Sequence, residues 1–340
     1  VKGKDGGMIG GPMYALERGL KQKWLGVLFA LFAGFACFGI GNGTQGNSIT
    51  GMVKNTFGIS PYISGAVITI LTGLVILGGV KSIAKVCEKL VPFMAGFYII
   101  GCIIILFLNH AYVLDALKLI VTSAFTPQAA GGGFIGSTVM MAIRFGIARG
   151  LFTNESGLGS APIVDAAAVT RNPVRQGLIA MTGVFWDTVI VCALTGLVLV
   201  SSILRNPDGM TGLSGGALSS AAFANIPVVG PIVLTVGLIC FAWSTILGWS
   251  YYGERCWVYL CGQKAIMPFR IIYTLVVFVG SVMTLDAVWG IADILNACMA
   301  FPNLVALLGL SGVIAAETKK YLFNDNMDGC SDDEIPVVDK

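Results

Sequence analysis

RFGIARGLFTNESGLGSAPIVDAAAVTRNP, residues 144–173, lies inside an apolar stretch yet carries what an ordinary membrane helix excludes. Asn154, Glu155, Ser156, Gly157 and Gly159, followed by Pro162, break helical hydrogen bonding in mid-span. Unwound backbone in hydrocarbon is tolerated only where protein buries it or it lines a wet cavity. A carboxyl group at that depth marks a functional site by default. Broken helices near the bilayer midplane are how secondary transporters present backbone and side-chain groups to a solute and an ion. This segment predicts a solute carrier.

Composition agrees with a membrane setting. The 340 residues are 56% hydrophobic and 11% charged, against about 25% charged in a soluble domain, and the mean hydropathy is +0.83. The charges gather at segment ends and in the tail, so the net charge of +3 reports topology, and nucleic-acid binding is not expected. A single histidine, His110, argues against a His-ligated metal or a Ser-His-Asp triad. The nine cysteines form no CxxC pair, so no zinc site or disulfide framework is expected. In apolar spans free Cys behaves as a small hydrophobe.

A helix needs roughly 20 apolar residues to cross about 30 Å of hydrocarbon. The pattern predicts an all-α polytopic membrane protein. Its transmembrane domain covers 24–317, with spans near 24–49, 62–83, 91–109, 138–168 (broken), 177–203, 228–252, 268–285 and 286–317. Pro302 should kink the last. Residues 1–23 read as a connection already in progress at Val1, which suggests an N-terminally truncated sequence. Residues 318–340 form an acidic tail, expected to be disordered from Asn324 onward. Sixteen Lys and Arg fall on one side of this arrangement and three (Lys54, Lys118, Arg205) on the other. Basic residues collect in the cytoplasm, which predicts that both ends are cytoplasmic and that 286–317 crosses once.

Polar residues within the spans supply the candidate chemistry. Gly41, Gly43 and Gly46 form a GxGxxG, but at the end of an apolar helix rather than after a strand, so close helix packing is the better reading. Asn42, Thr44 and Gln45 beside them need partners in hydrocarbon; Gln45 faces either a hydrated cavity or another helix. Ser244 and Thr245 can join the Phe241 carbonyl on one side of a helix, as an oxygen-ligated hard cation requires, or can simply cap that carbonyl. Trp249 lies one turn on, as the wall of a small pocket or as packing. Asp187 and Asp293 are intramembrane acids, with Arg144 and Arg149 as available partners, while Asp165 and Asp286 lie nearer span ends.

GGPMYALERGL (10–20), GIGNGTQGNSI (39–49), GIARGLFTNESGLGSAPIVDAAAVTRNPVRQG (146–177), FAWSTILGWSYYGE (241–254) and WGIADILNACMAFPNLVALLGLSG (289–312) resemble the alanine/glycine:cation symporter family. These are sodium:alanine carriers of the bacterial cytoplasmic membrane. The resemblance runs through about residues 10–320. It implies the LeuT-type inverted-repeat fold, with about eight of eleven spans present. The broken segment would then be the sixth core helix and 228–252 the eighth.

Carried over position by position, the resemblance makes Gln45, Phe152, Thr153, Asn154, Glu155, Gly157, Thr245 and Trp249 the substrate site. It makes Phe241, Ser244 and Thr245 the sodium ligands from this chain. Asp165 departs from the family, standing where a His is usual. The implied activity is sodium-coupled symport of a small neutral amino acid, alanine or glycine, by alternating access. Sodium is the coupling ion, with no organic cofactor and no protein partner beyond the lipid bilayer. The rivals are a proton-coupled carrier on the same fold, and an intramembrane enzyme or channel. The sequence offers no nucleophile–base pair and no repeated pore-lining ring to support either of the last two.

Overall fold

The computed structural model describes residues 1–3, 7–125, 154–155, 157–213, 215–227, 229–331 and 334–338. These residues are all-helical apart from isolated β-bridges at Lys2. We number the principal helices α1 (Lys23–Phe57), α2 (Pro61–Leu77), α3 (Val80–Leu108), α4 (His110–Phe125), α5 (Pro173–Arg205), α6 (Gly215–Phe223), α7 (Val229–Cys261), α8 (Gln263–Val282) and α9 (Leu285–Gly309). Among the described residues six stretches are long and apolar enough to cross a membrane: α1, α3, α5, α7, α8 and Ala292–Gly309 within α9. Helix α2 is apolar but shorter.

Local sequence sets the helix ends. Gly58 closes α1 in the left-handed conformation (φ 70°) that suits glycine, and Pro61 opens α2 at a position where its missing N–H costs nothing. Asn172 caps α5: its Oδ1 accepts from the Val174 and Arg175 amides, with Pro173 next in line. Leu310 interrupts the helix between Gly309 and the following turns Ser311–Thr318.

Packing runs through glycine. In α1 the ladder slips to an i→i+5 register at Gly39–Gly43, where Thr44 N–H bonds to the Gly39 carbonyl. A Cβ on Gly41 would lie 2.1 Å from the Cβ of Trp249 in α7, and one on Gly46 would lie 2.8 Å from Ser281 Oγ in α8. Gly280 of α8 meets the Gly43 backbone, where a Cβ would stand 2.4 Å from the Gly43 Cα. The three glycines of the GxGxxG therefore seat two helices, the close-approach device of membrane bundles. One apolar core joins α1, α7, α8 and α9 through Phe29, Ile40, Ile246, Trp249, Tyr273 and Met299. A second joins α3, α5 and α6 to the opposite part of α7 through Tyr98, Ile105, Val198, Phe223 and Val233. Helix α7 is the wall both cores share.

Large apolar side chains face outward, including Phe107 and Leu308 at 77% exposure and Leu74 at 70%. A soluble surface seldom carries contiguous apolar patches beyond a few hundred Å²; here the outward faces are made for lipid.

Polar contacts mark the two ends of the bundle. At one end Asn109, after α3, donates from Nδ2 to Ser201 and Ser202 of α5, Arg205 Nη1 donates to Asn109 Oδ1, and Asn225 Nδ2 donates to Ser202. At the other end Glu254 of α7 accepts from Arg270 Nε at 2.6 Å and Arg255 Nη2 at 2.7 Å, and Tyr259 Oη donates to Glu17 Oε2.

The C-terminal tail departs from expectation. Its acidic composition predicts disorder, yet its described residues are bonded to the rest of the chain. Ser331 N–H donates to the Arg171 carbonyl, Lys2 N–H to the Pro336 carbonyl, and Val338 N–H to the Lys2 carbonyl. Val338 is buried in the first core. The reason is that most of the docking is done by backbone groups and the Val338 side chain, which charge counting overlooks, with Asp328 pairing with Arg175. Residues 1–3, 171–175, 327–331 and 334–338 therefore share one end of the molecule.

Candidate functional site

The unwound stretch is non-helical wherever it is described. Glu155 (φ 50°), Gly157 (φ 76°) and Gly159 (φ 84°) occupy left-handed backbone within five residues, and a single helical turn, Ala161–Asp165, follows. Left-handed backbone is free for glycine and uncommon for Glu, so the strain at 155 is held by its surroundings. Ser160 Oγ donates to Glu155 Oε2 at 2.7 Å. Thr188 Oγ1 of α5 donates to Asn154 Oδ1, and Asn303 Nδ2 of α9 donates to the Gly157 carbonyl at 2.9 Å. A Cβ on Gly159 would stand 2.6 Å from Pro12 and 2.8 Å from Asn303. Three surrounding elements thus grip a segment that cannot grip itself through helical bonds.

The carboxyl group of Glu155 lies near Trp249 and Tyr252 of α7. Trp249 is 3% exposed, seated over Gly41 and edge-on to Tyr252 with ring centres 5.3 Å apart. One turn earlier, Ser244 Oγ and Thr245 Oγ1 each donate to the Phe241 carbonyl at 2.9 Å. That places three oxygens together on one side of α7. Each hydroxyl keeps acceptor capacity after donating its hydrogen, so the arrangement both caps a carbonyl and offers ligands to a hard cation.

The polar cluster of α1 is divided. Thr44 Oγ1 donates to the Ile40 carbonyl at 2.6 Å and Gln45 Nε2 to the same carbonyl at 3.2 Å, in the π-helical slip. Asn42 turns to α8, donating to the Tyr273 carbonyl at 2.8 Å, while its Oδ1 is buried without a hydrogen-bond partner. Tyr273 Oη in turn donates to the Ile246 carbonyl of α7 at 2.9 Å. Asn42 therefore ties helices together, whereas the half-buried Gln45 sits in its own helix groove.

Other sequence candidates fall elsewhere. Phe152, Thr153, Arg144 and Arg149 lie outside the described residues, as does Ser156. Asp187 sits in another π-helical segment, Phe185–Cys192, with Oδ2 buried and lacking a hydrogen-bond partner. Asp165, nearer a span end, accepts from Gln176 Nε2 at 3.0 Å. Sequence reasoning passed over Asn303, Tyr273 and Glu254. Asn303 was findable, since an amide one residue after Pro302 in an apolar helix must have a partner.

Described residues that are helical, six apolar membrane-length helices among them, and an unwound polar stretch held between these helices define a multi-pass membrane protein. The model of the sodium:alanine symporter family matches residues 1–334, and the chain belongs to that family. An uncharacterized transporter of Haemophilus influenzae is 51% identical over 98% of this chain and 74% of its own length. The sodium/alanine symporter AgcS of Methanococcus maripaludis is 50% identical over 93% of this chain and 70% of its own. The amino-acid carrier protein AlsT of Bacillus subtilis is 32% identical over 92% and 66%.

Proposed function

We propose that this chain carries out sodium-coupled symport of a small neutral amino acid, alanine or glycine, by alternating access on a LeuT-type inverted-repeat fold. The observation that carries the reading is the set of three oxygens at Phe241, Ser244 and Thr245. It stands one turn from the indole that faces Glu155 in the unwound stretch. The oxygens are of the kind a sodium ion takes. Asn154, Glu155 and Gly157 supply carboxylate and backbone groups to an amino-acid zwitterion, as do Phe152 and Thr153 by resemblance, with Gln45 from α1. Phe152 and Trp249 limit the side chain to methyl-like size. Sodium bound in one orientation of the bundle stabilises the state that also holds the amino acid. Rocking about the unwound segment then releases both on the other side.

The same reading orients the molecule. The end that gathers the N-terminal segment, the 171–175 connection and the tail also carries most of the basic residues, so it faces the cytoplasm of a bacterial inner membrane.

The experiment is uptake at varied sodium concentration. Thr245→Ala removes one oxygen from the cation, and a hydrogen bond or ligand to a charged group is worth about 1.5–3 kcal/mol. The sodium concentration for half-maximal uptake should rise roughly tenfold to a hundredfold, with membrane insertion unchanged. Unchanged sodium dependence assigns Thr245 to capping alone. Uptake that follows a proton gradient and ignores sodium makes the carrier proton-coupled.

A further inference from the structure

We propose that Asn303 of α9 is a positioning residue for the amino-acid site, fixing the backbone of the unwound stretch from outside. It rests on the substrate reading proposed above. The inward stripe of α9 at this level is Met299, Asn303 and Ala306, exposed by 0%, 5% and 4%. Asn303 is its polar member, and a buried amide is costly unless it finds a partner. Its Nδ2 finds one 146 residues away in sequence, the Gly157 carbonyl at 2.9 Å. The other end of that peptide group is also taken, since Leu158 N–H donates to the Glu155 carbonyl at 3.2 Å. Gly159 makes the approach possible: a Cβ there would lie 2.8 Å from Asn303 Cγ and Oδ1.

The stretch needs such a hold. Left-handed backbone at Glu155, Gly157 and Gly159 interrupts the helical ladder, so local bonds leave its shape open. Thr188 grips the Asn154 side chain and Ser160 the Glu155 side chain, whereas Asn303 grips the backbone itself. A site whose backbone must be ordered when the solute arrives spends binding energy on that ordering. Losing the Asn303 bond should therefore weaken the amino acid rather than sodium, whose proposed ligands lie on α7.

Two variants of the intact carrier test this. Asn303→Leu fills similar space without a donor, and Asn303→Asp can donate only when its carboxyl is protonated. In proteoliposomes at saturating sodium, Asn303→Leu should raise the alanine concentration for half-maximal uptake roughly threefold to tenfold, the worth of one net hydrogen bond. The maximal rate and the sodium dependence should stay as in the wild type. Asn303→Asp should show the same rise at alkaline pH and lose it in acid, each value being divided by the wild type's at that pH. Hydrogen exchange at the Leu158 amide, which needs no transport, should quicken in Asn303→Leu. Unchanged exchange overturns the positioning role. So does a lower maximal rate or melting temperature with half-saturation unmoved, which marks packing alone. If Asn303→Leu fails to insert, Asn303→Asp decides, and no recovery in acid overturns the proposal. Quickened exchange in a carrier whose wild type takes up neither alanine nor glycine overturns the substrate reading instead, so the two failures are told apart.

Discussion

Gly41 shows how much one missing methyl group decides. Nothing but hydrogen fits between the α1 backbone and the Trp249 side chain. Gly41→Ala must therefore push the indole aside or part α1 from α7, and overpacking of this kind costs about 1–3 kcal/mol. Thermal unfolding in detergent should register that loss. Combined with Trp249→Gly, which removes the Cβ and Cγ that the added methyl would meet, the two losses should sum to less than their separate values, because residues in contact are non-additive. If the two losses simply add, Trp249 is not what Gly41 accommodates. The sequence disclosed the glycines and their packing role, since a GxGxxG without a strand before it has little else to do. It disclosed Ser244 and Thr245 as a pair, because adjacent hydroxyls in a helix reach one carbonyl. It could not disclose which way Asn42 turns, because its partner, the Tyr273 carbonyl, lies 231 residues away. Backbone acceptors leave no mark in a sequence.

At the scale of elements, α7 and α8 are joined by buried charge at one end of the bundle. Glu254 is 4% exposed and paired with Arg270 and Arg255. Removing one partner of a buried pair leaves the other charge unpaired, at a cost of about 3–5 kcal/mol. Glu254→Ala should lower the melting temperature far more than Asp328→Ala, whose ion pair is exposed and is worth about 0–1 kcal/mol. Similar shifts for both would mean that water reaches Glu254. Hydropathy does not fix where a helix ends. It ended the 228–252 span at the cluster of polar residues around Glu254, whereas α7 continues to Cys261. The arginines that make Glu254 tolerable come from its neighbour Arg255 and from Arg270 on the next helix. A window that averages hydropathy treats such charges as water-facing. The tail was misjudged for the same reason: its acidic residues were counted, and its carbonyls were not.

Across the whole molecule, the polar contacts near the two ends of α7 fix a height. Thr235 Oγ1 bonds to Thr56 of α1 at one end, and Glu254 binds its arginines at the other. Nineteen residues separate them, about 28 Å at 1.5 Å per residue. That is close to the roughly 30 Å of hydrocarbon in a typical bilayer. A bundle clamped at both rims has little freedom to shorten by tilting one helix, so mismatch falls on the lipid, which must stretch or thin around it. Transport in vesicles of defined phosphatidylcholines should peak at one acyl-chain length and decline on either side. A flat profile would show that the helices slide past each other despite their clamps. The bilayer is thus a working part of this carrier, a gauge block against which its travel is set.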